Sequence, residues 1–248
     1  MKKIAIGLAI SVVLFAQSGE EVAKKAYEKI SGYKSSTSIT TMILKNAQGD
    51  ENIRKLEMKK LEGKNGDKSL LTFLYPNDLK DTKLLSYEVI GGDDKQWLYL
   101  PAIKRVKRIS SRNKSGSFMA SEFSYEDISS QNFKNYSYPS DAKVVQVDGI
   151  EYFEVERIPK DEHSGYSKQL VYIDTKEYLA HFGEYFDKNN RLLKKIKFKN
   201  YMKLNGVWRV HKIVIENLQN SKSSTLSWDR DTINVGLTKQ DFSKRVLR

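Results

Sequence analysis

The side chains best suited to move a proton or hold a metal are His163, His181 and His211, and they share no ligand spacing. Each is expected to stand alone, on a strand or at the surface. Carboxylate pairs occur at Asp93-Asp94 and Glu126-Asp127, the residue type that two-carboxylate glycoside hydrolysis needs. Nothing around them marks a sugar site, and Glu126-Asp127 fits a helix start or a turn. Asp229-Arg230-Asp231 begins like a calcium loop but lacks the glycine and distal glutamate of one. No G-x-S-x-G elbow, H-E-x-x-H pair or phosphate-binding glycine loop is present. The chain has no cysteine, which excludes thiol catalysis and thiolate metal sites. The expectation is a protein that is not an enzyme and that needs no cofactor or metal.

What the sequence does supply is apolar and cationic surface. In Trp97-Leu98-Tyr99-Leu100, a strand would put Trp97 and Tyr99 on one face and Leu98 and Leu100 on the other. Both faces are apolar, so both must be covered. Leu70 to Tyr75 and Ile213-Val214-Ile215 share this two-sided character. Such residues fit an ordinary core or the wall of a cavity in a small barrel, which commonly holds one apolar guest. Next comes a basic stripe of Lys104, Arg105, Lys107, Arg108, Arg112 and Lys114. It reads as a solvated face or as a docking patch for anionic heads or an acidic protein surface.

The elements that must position these groups are mostly strands. Residues 20–30 place Val22, Ala26, Tyr27 and Ile30 on one side of an amphipathic helix, with acids early, lysines late and Ser31-Gly32 as its stop. From Tyr33 onward, runs rich in Ile, Val, Thr, Tyr and Phe alternate with turn signals such as Gly91-Gly92-Asp93-Asp94, Asp148-Gly149 and Asn205-Gly206. Strands are expected at 34–46, 51–62, 67–75, 83–90, 95–101, 104–110, 142–148, 151–158, 168–174, 179–187, 192–203, 207–219 and 223–234. Many short strands in succession predict an antiparallel up-and-down sheet, closed as a barrel or half open. The absence of a strand–helix–strand rhythm argues against a parallel fold. Residues 110–135 interrupt the pattern with a long Ser-, Asn- and Gly-rich connection carrying Phe118, Met119, Phe123 and Tyr125. A long connection holding large apolar groups is expected to pack as a cover.

The first residues set the compartment. Met1-Lys2-Lys3, the apolar run Ile4 to Phe15 and Ala16-Gln17-Ser18 have the three-part layout of a secretory signal. The apolar run is shorter than the roughly 20 residues of a membrane span. A leader over 1–18 and one domain over 19–248 are expected, in an oxidising periplasm. Lys and Arg number 43 against 31 Asp and Glu, a formal charge of +12. In an exported chain that balance points away from nucleic acid and towards lipid phosphates, transient contact with a membrane surface, or acidic proteins.

Four segments resemble one family: Phe73-Leu74-Tyr75-Pro76; Trp97-Leu98-Tyr99-Leu100-Pro101-Ala102; Lys104-Arg105-Val106-Lys107-Arg108-Ile109; and Phe118 to Asp127, FMASEFSYED. They are similar to outer-membrane lipoprotein-sorting proteins of the LolA/LolB-like type, in particular the group encoded beside RND/MMPL-type exporters. That family usually reads F-M-G-S-D-F-S-Y-E-D, so Ala120 stands for the common Gly and Glu122 for the common Asp. The resemblance implies a mainly β fold with few helices: a strongly curved antiparallel sheet forming a half-open barrel, with a helical lid on its concave side. It implies a soluble carrier that shields the acyl chains of a lipoprotein or lipid in an apolar cavity, working with an RND/MMPL-type inner-membrane transporter. The cavity candidates are Met42, Leu44, Phe73, Tyr75, Trp97, Tyr99, Phe118, Met119 and Phe123. Lys104, Arg105, Lys107, Arg108 and Arg112 are the docking candidates. The alternatives are a non-carrier accessory subunit of a transporter and, with little in its favour, a periplasmic hydrolase.

Overall fold

The structure is a computed structural model, and it describes residues 17–247. The expected leader lies outside the described residues except for Gln17 and Ser18, which belong to the folded domain. Ser18 caps helix α1 (Gly19–Ile30): its hydroxyl accepts from Glu21 N–H at 3.2 Å, and Glu21 accepts from Ser18 N–H at 3.1 Å. This reciprocal pair satisfies two of the free donors at a helix start. Gln17 C=O accepts from Ala142 N–H at 2.9 Å. A cut after Ala16 keeps these contacts, and a cut after Ser18 removes them.

The strands are β1 (Ser35–Lys45), β2 (Glu51–Leu61), β3 (Lys68–Tyr75), β4 (Lys83–Tyr87), β5 (Lys95–Leu100), β6 (Arg105–Ile109), β7 (Tyr136–Ser137), β8 (Lys143–Val147), β9 (Ile150–Pro159), β10 (Tyr166–Asp174), β11 (Ala180–Asp187), β12 (Leu192–Leu204), β13 (Val207–Asn217) and β14 (Lys222–Ile233). All pair antiparallel in one 14-stranded sheet, in the order β6-β5-β4-β3-β2-β1-β14-β13-β12-β11-β10-β9-β7, with β8 also on β9. The sheet curves but does not close. Two meanders, β1 to β6 and β8 to β14, are joined where β1 pairs with β14, from Ser36 opposite Ile233 to Lys45 opposite Ser223. The sequence order hides this seam, which puts the first strand in the middle of the sheet.

Between the meanders the chain crosses the concave side as a folded connection. It contains α2 (Tyr125–Ile128), started by a Ser124–Asp127 capping box, and a 3-10 turn at Phe133–Asn135. The Glu126-Asp127 pair therefore does open a helix. Within this connection Met119 and Ala120 are both left-handed, at φ 50° and 62°. That conformation costs a residue with a Cβ roughly 1–2 kcal/mol, which accounts for the glycine preferred at position 120 in the resembling family.

Burial follows strand alternation. On the concave face Met42, Leu56, Leu71, Phe73, Leu84 and Leu98 pack with Phe118, Phe123 and Ile128 from the connection. On the convex face of β3 to β5, Leu70, Leu85 and Trp97 meet Phe242 and Leu247. Those two residues come from C-terminal 3-10 turns at Lys239–Phe242 and Lys244–Leu247. The two-sided strands thus obtain their second cover from the chain's own end. Tyr87 donates to Phe242 C=O, and Lys83 donates to Val246 C=O at 2.6 Å.

Candidate functional site

One end of the concave side is filled and the other is not. Where β1 carries Met42, the space is closed by Leu56, Phe73 and Phe118, each 0% exposed. Towards the start of β1 the inward residues shrink to Ser38 and Ser36. The residues α1 presents inward include Ala23 and Ala26. Small side chains on opposed walls leave a partly enclosed hollow of about 300 Å³. For comparison, an apolar cavity of about 150 Å³ accepts one benzene.

The lining is mainly apolar. Val155, Val171, Ile196, Ile213, Ile215 and Trp228 come from the sheet. Tyr27 and Ile30 of α1, and Phe123, Ile128 and Phe133 of the connection, form the roof. Val22, 0% exposed, anchors α1 onto Val155, Val171 and Ile173. Tyr27 is braced by Asn132, whose amide donates to its hydroxyl at 3.2 Å. Burial pushes the Tyr27 phenol up to about 12, with nearby Asp67 adding to the shift.

Among the cavity candidates, Phe123 lines this hollow. Met42, Phe73 and Phe118 lie on the same side but form the packed end, with Leu44 and Met119 against them. Trp97 and Tyr99 do not reach the hollow, because the sheet turns them outwards into the convex cluster under the C-terminal turns. Tyr75, 52% exposed at the end of β3, lies outside the hollow's lining. Alternation along β5 predicts two faces but not which of them is concave. Of β9 to β14, the sequence pointed to Ile213-Val214-Ile215 as two-sided, and Ile213 and Ile215 line the hollow; the other contributions escaped it, with the apolar residues at every second position of 226–228 as the available signal.

The basic candidates are at the rim. Lys104, Arg105, Lys107 and Arg108 are exposed on and beside edge strand β6, and Arg112 is exposed in the following 3-10 turn. Lys114 leaves the stripe to pair with Asp161. The interleaved residues behave differently, since Ile109 is buried and Val106 is 38% exposed.

The acidic pairs are used structurally. Asp127 accepts from Lys194 Nζ at 3.0 Å and from the Tyr166 hydroxyl at 2.9 Å, and Lys194 Nζ also lies 2.8 Å from that hydroxyl. Glu126 accepts from the Ser164 hydroxyl at 2.7 Å and Gly165 N–H at 2.8 Å. Asp94 is held by Ser129 and by Val89 N–H. Burial raises the pKa of both Glu126 and Asp94. The recess beside them is about 50 Å³, room for a few waters. The histidines stay apart: His181 lies 3.2 Å from Asp174, His211 3.8 Å from Asp231, and His163 3.7 Å from Glu162. Among the described residues no cluster of three or more metal-ligating side chains forms.

A family model described as an uncharacterized protein matches residues 65–248. An outer membrane lipoprotein-sorting protein domain from Vibrio parahaemolyticus is 42% identical, with 92% of this chain and 97% of that one covered and a TM-score of 0.88. A DUF1329 family protein from Desulfovibrio piger is 29% identical over 93% of this chain and 98% of its own, TM-score 0.86. A LolA superfamily protein from Nitrosomonas europaea, 19% identical over 93% and 99%, TM-score 0.76, shares the fold. No curated protein matches the sequence.

Proposed function

Because the chain belongs to the LolA-like family of outer-membrane lipoprotein-sorting proteins, we propose that it is a periplasmic carrier that holds acyl chains of a lipid or lipoprotein in the hollow under its sheet. The observation that carries this reading is the partly enclosed, mainly apolar space of about 300 Å³ between the concave face, α1 and the connection. An acyl methylene gains about 0.8 kcal/mol on leaving water, so a free chain does not cross an aqueous compartment unaided. A dry hollow offsets that cost during transit. Release needs a cover that can move, and α1 is suited to this. Its apolar contact with the sheet is one small cluster around Val22 and Ala26.

The exposed cations of β6 support a docking role towards an anionic membrane surface, at about 1 kcal/mol per basic residue close to it. Partnership with an RND/MMPL-type exporter is the finer form of the proposal and rests on the motif resemblance. An accessory subunit would have no use for the empty hollow. The reaction-free reading is supported by carboxylates and histidines that are already spent on structural bonds.

The test is organic extraction of protein purified from its native compartment, followed by mass spectrometry. Fatty-acyl species in stoichiometric amount are expected. Clean protein that also fails to take up added acyl chains would overturn the carrier reading.

A further inference from the structure

Nearly every charged group in the hollow's lining already has a partner. Arg209 is committed to Asp231, with Nε to Oδ2 at 2.8 Å and Nη2 to Oδ1 at 3.2 Å. Glu62 accepts from Gly32 and Lys34 N–H at 2.8 and 2.7 Å. Asp67 accepts from Gly63 N–H at 3.1 Å and the Ser130 hydroxyl at 3.3 Å. Asp127 takes Lys194. Arg157 donates to Gln169, Gln131 and the Tyr185 hydroxyl.

Lys60 is the exception. It sits on the inward face of β2, opposite Ser36 of β1 and Ser69 of β3. Among the described residues its ammonium makes no hydrogen bond or ion pair. Burial lowers its pKa and Arg209 repels its charge further, while Asp67, Glu88 and Asp231 offset part of this from beyond ion-pair distance. The ammonium is absent from the buried, partnerless side-chain atoms of the fold and so keeps access to the space around it. An ammonium on a mainly apolar wall with no carboxylate at ion-pair distance is uncommon, and a ligand oxygen would supply the missing acceptor.

The volume limits the other part of the ligand. If about 150 Å³ takes the six carbons of benzene, about 300 Å³ takes roughly a dozen carbons. The space as it stands suits one chain.

We propose that the hollow accepts a single-chain amphiphile of about a dozen buried carbons with an anionic oxygen head, and that Lys60 Nζ donates to that head. This rests on the carrier reading and specifies its ligand. The head chemistry is common to a carboxylate and a phosphate ester, so the test separates them.

Delipidated mature protein is titrated calorimetrically with dodecanoate, dodecyl phosphate and dodecanol, alongside Lys60→Met. Wild type is expected to bind at least one of the anions tenfold or more tighter than the alcohol, and the tighter anion identifies the head. Lys60→Met should bring that anion down to the alcohol's affinity and leave the alcohol unchanged, which also shows that the variant's hollow is intact. Equal affinity for all three ligands, or an anion preference that survives Lys60→Met, overturns the head assignment and leaves the carrier reading standing. Binding of none of the three overturns both.

Discussion

Filling the hollow from its floor tests where the chain binds. Ser38 lies on β1, opposite Met58 of β2 and Asp231 of β14. It is 6% exposed and lines the hollow. In Ser38→Phe the new ring has one place to go, the empty space in front of it. A benzene-sized ring occupies about 150 Å³, half of the roughly 300 Å³ present. Half of a dozen-carbon ligand is displaced, about six methylenes. At about 0.8 kcal/mol each the loss approaches 5 kcal/mol, more than a thousandfold in Kd. The folded protein should not suffer, because burying the ring in a void favours folding by up to about 3 kcal/mol. The assay is displacement of a fluorescent fatty acid, run beside thermal unfolding. The expected result is lost binding of a dodecyl chain with Tm equal to or above wild type, and a much smaller effect on a six-carbon chain. Unchanged Kd at native Tm would refute the placement of the chain in this hollow.

Other perturbations separate structural residues from lining ones. Trp97→Ala should destabilise the domain by about 3–5 kcal/mol, because Trp97 packs under Phe242 and Leu247; acyl binding of the folded fraction should stay within twofold, and a large drop would show that the convex face reaches the ligand. Lys194→Met leaves Asp127 buried without its counter-charge and should cost about 3–5 kcal/mol in urea unfolding. Adding Asp127→Asn should recover part of that loss, and no recovery would argue against the pair. Burial raises Glu88 from 4.5 to about 6, although it accepts from Asp67 N–H and Asn135. Its ionised form is therefore disfavoured in the fold. The contribution is complete below about pH 4.5 and is lost as pH rises through 6, about 2 kcal/mol at roughly 1.4 kcal/mol per unit. A carboxyl NMR titration of Glu88 should give a midpoint near 6; a midpoint at the ordinary value would refute the burial argument.

Local pattern made most of the elements legible. Alternation and Gly/Asn turns located β1 to β6 and β8 to β14 within a few residues, and the acids, lysines and apolar stripe of residues 20–30 located α1. Strand β7 escaped because two residues, Tyr136 and Ser137, have no period to read and exist as a strand only against Ile158 and Pro159. The connection's aromatics were expected to pack, and Phe118 and Phe123 do, but one fills the closed end and the other lines the open end.

The sequence by itself determined the strands, the helix, the lack of thiol chemistry and the two-faced character of β3 to β5, because side-chain period and turn chemistry are properties of neighbouring residues. Which face became the inside was decided only by the tertiary structure. Pairing β1 with β14 joins the two meanders, the C-terminal turns cover Trp97 from outside, and Ser36 and Ser38 of β1 come to face Ala23 and Ala26 of α1. A hollow is space that several small residues leave jointly, and Lys60 acquires its meaning only where, among the described residues, no carboxylate comes within ion-pair distance of it.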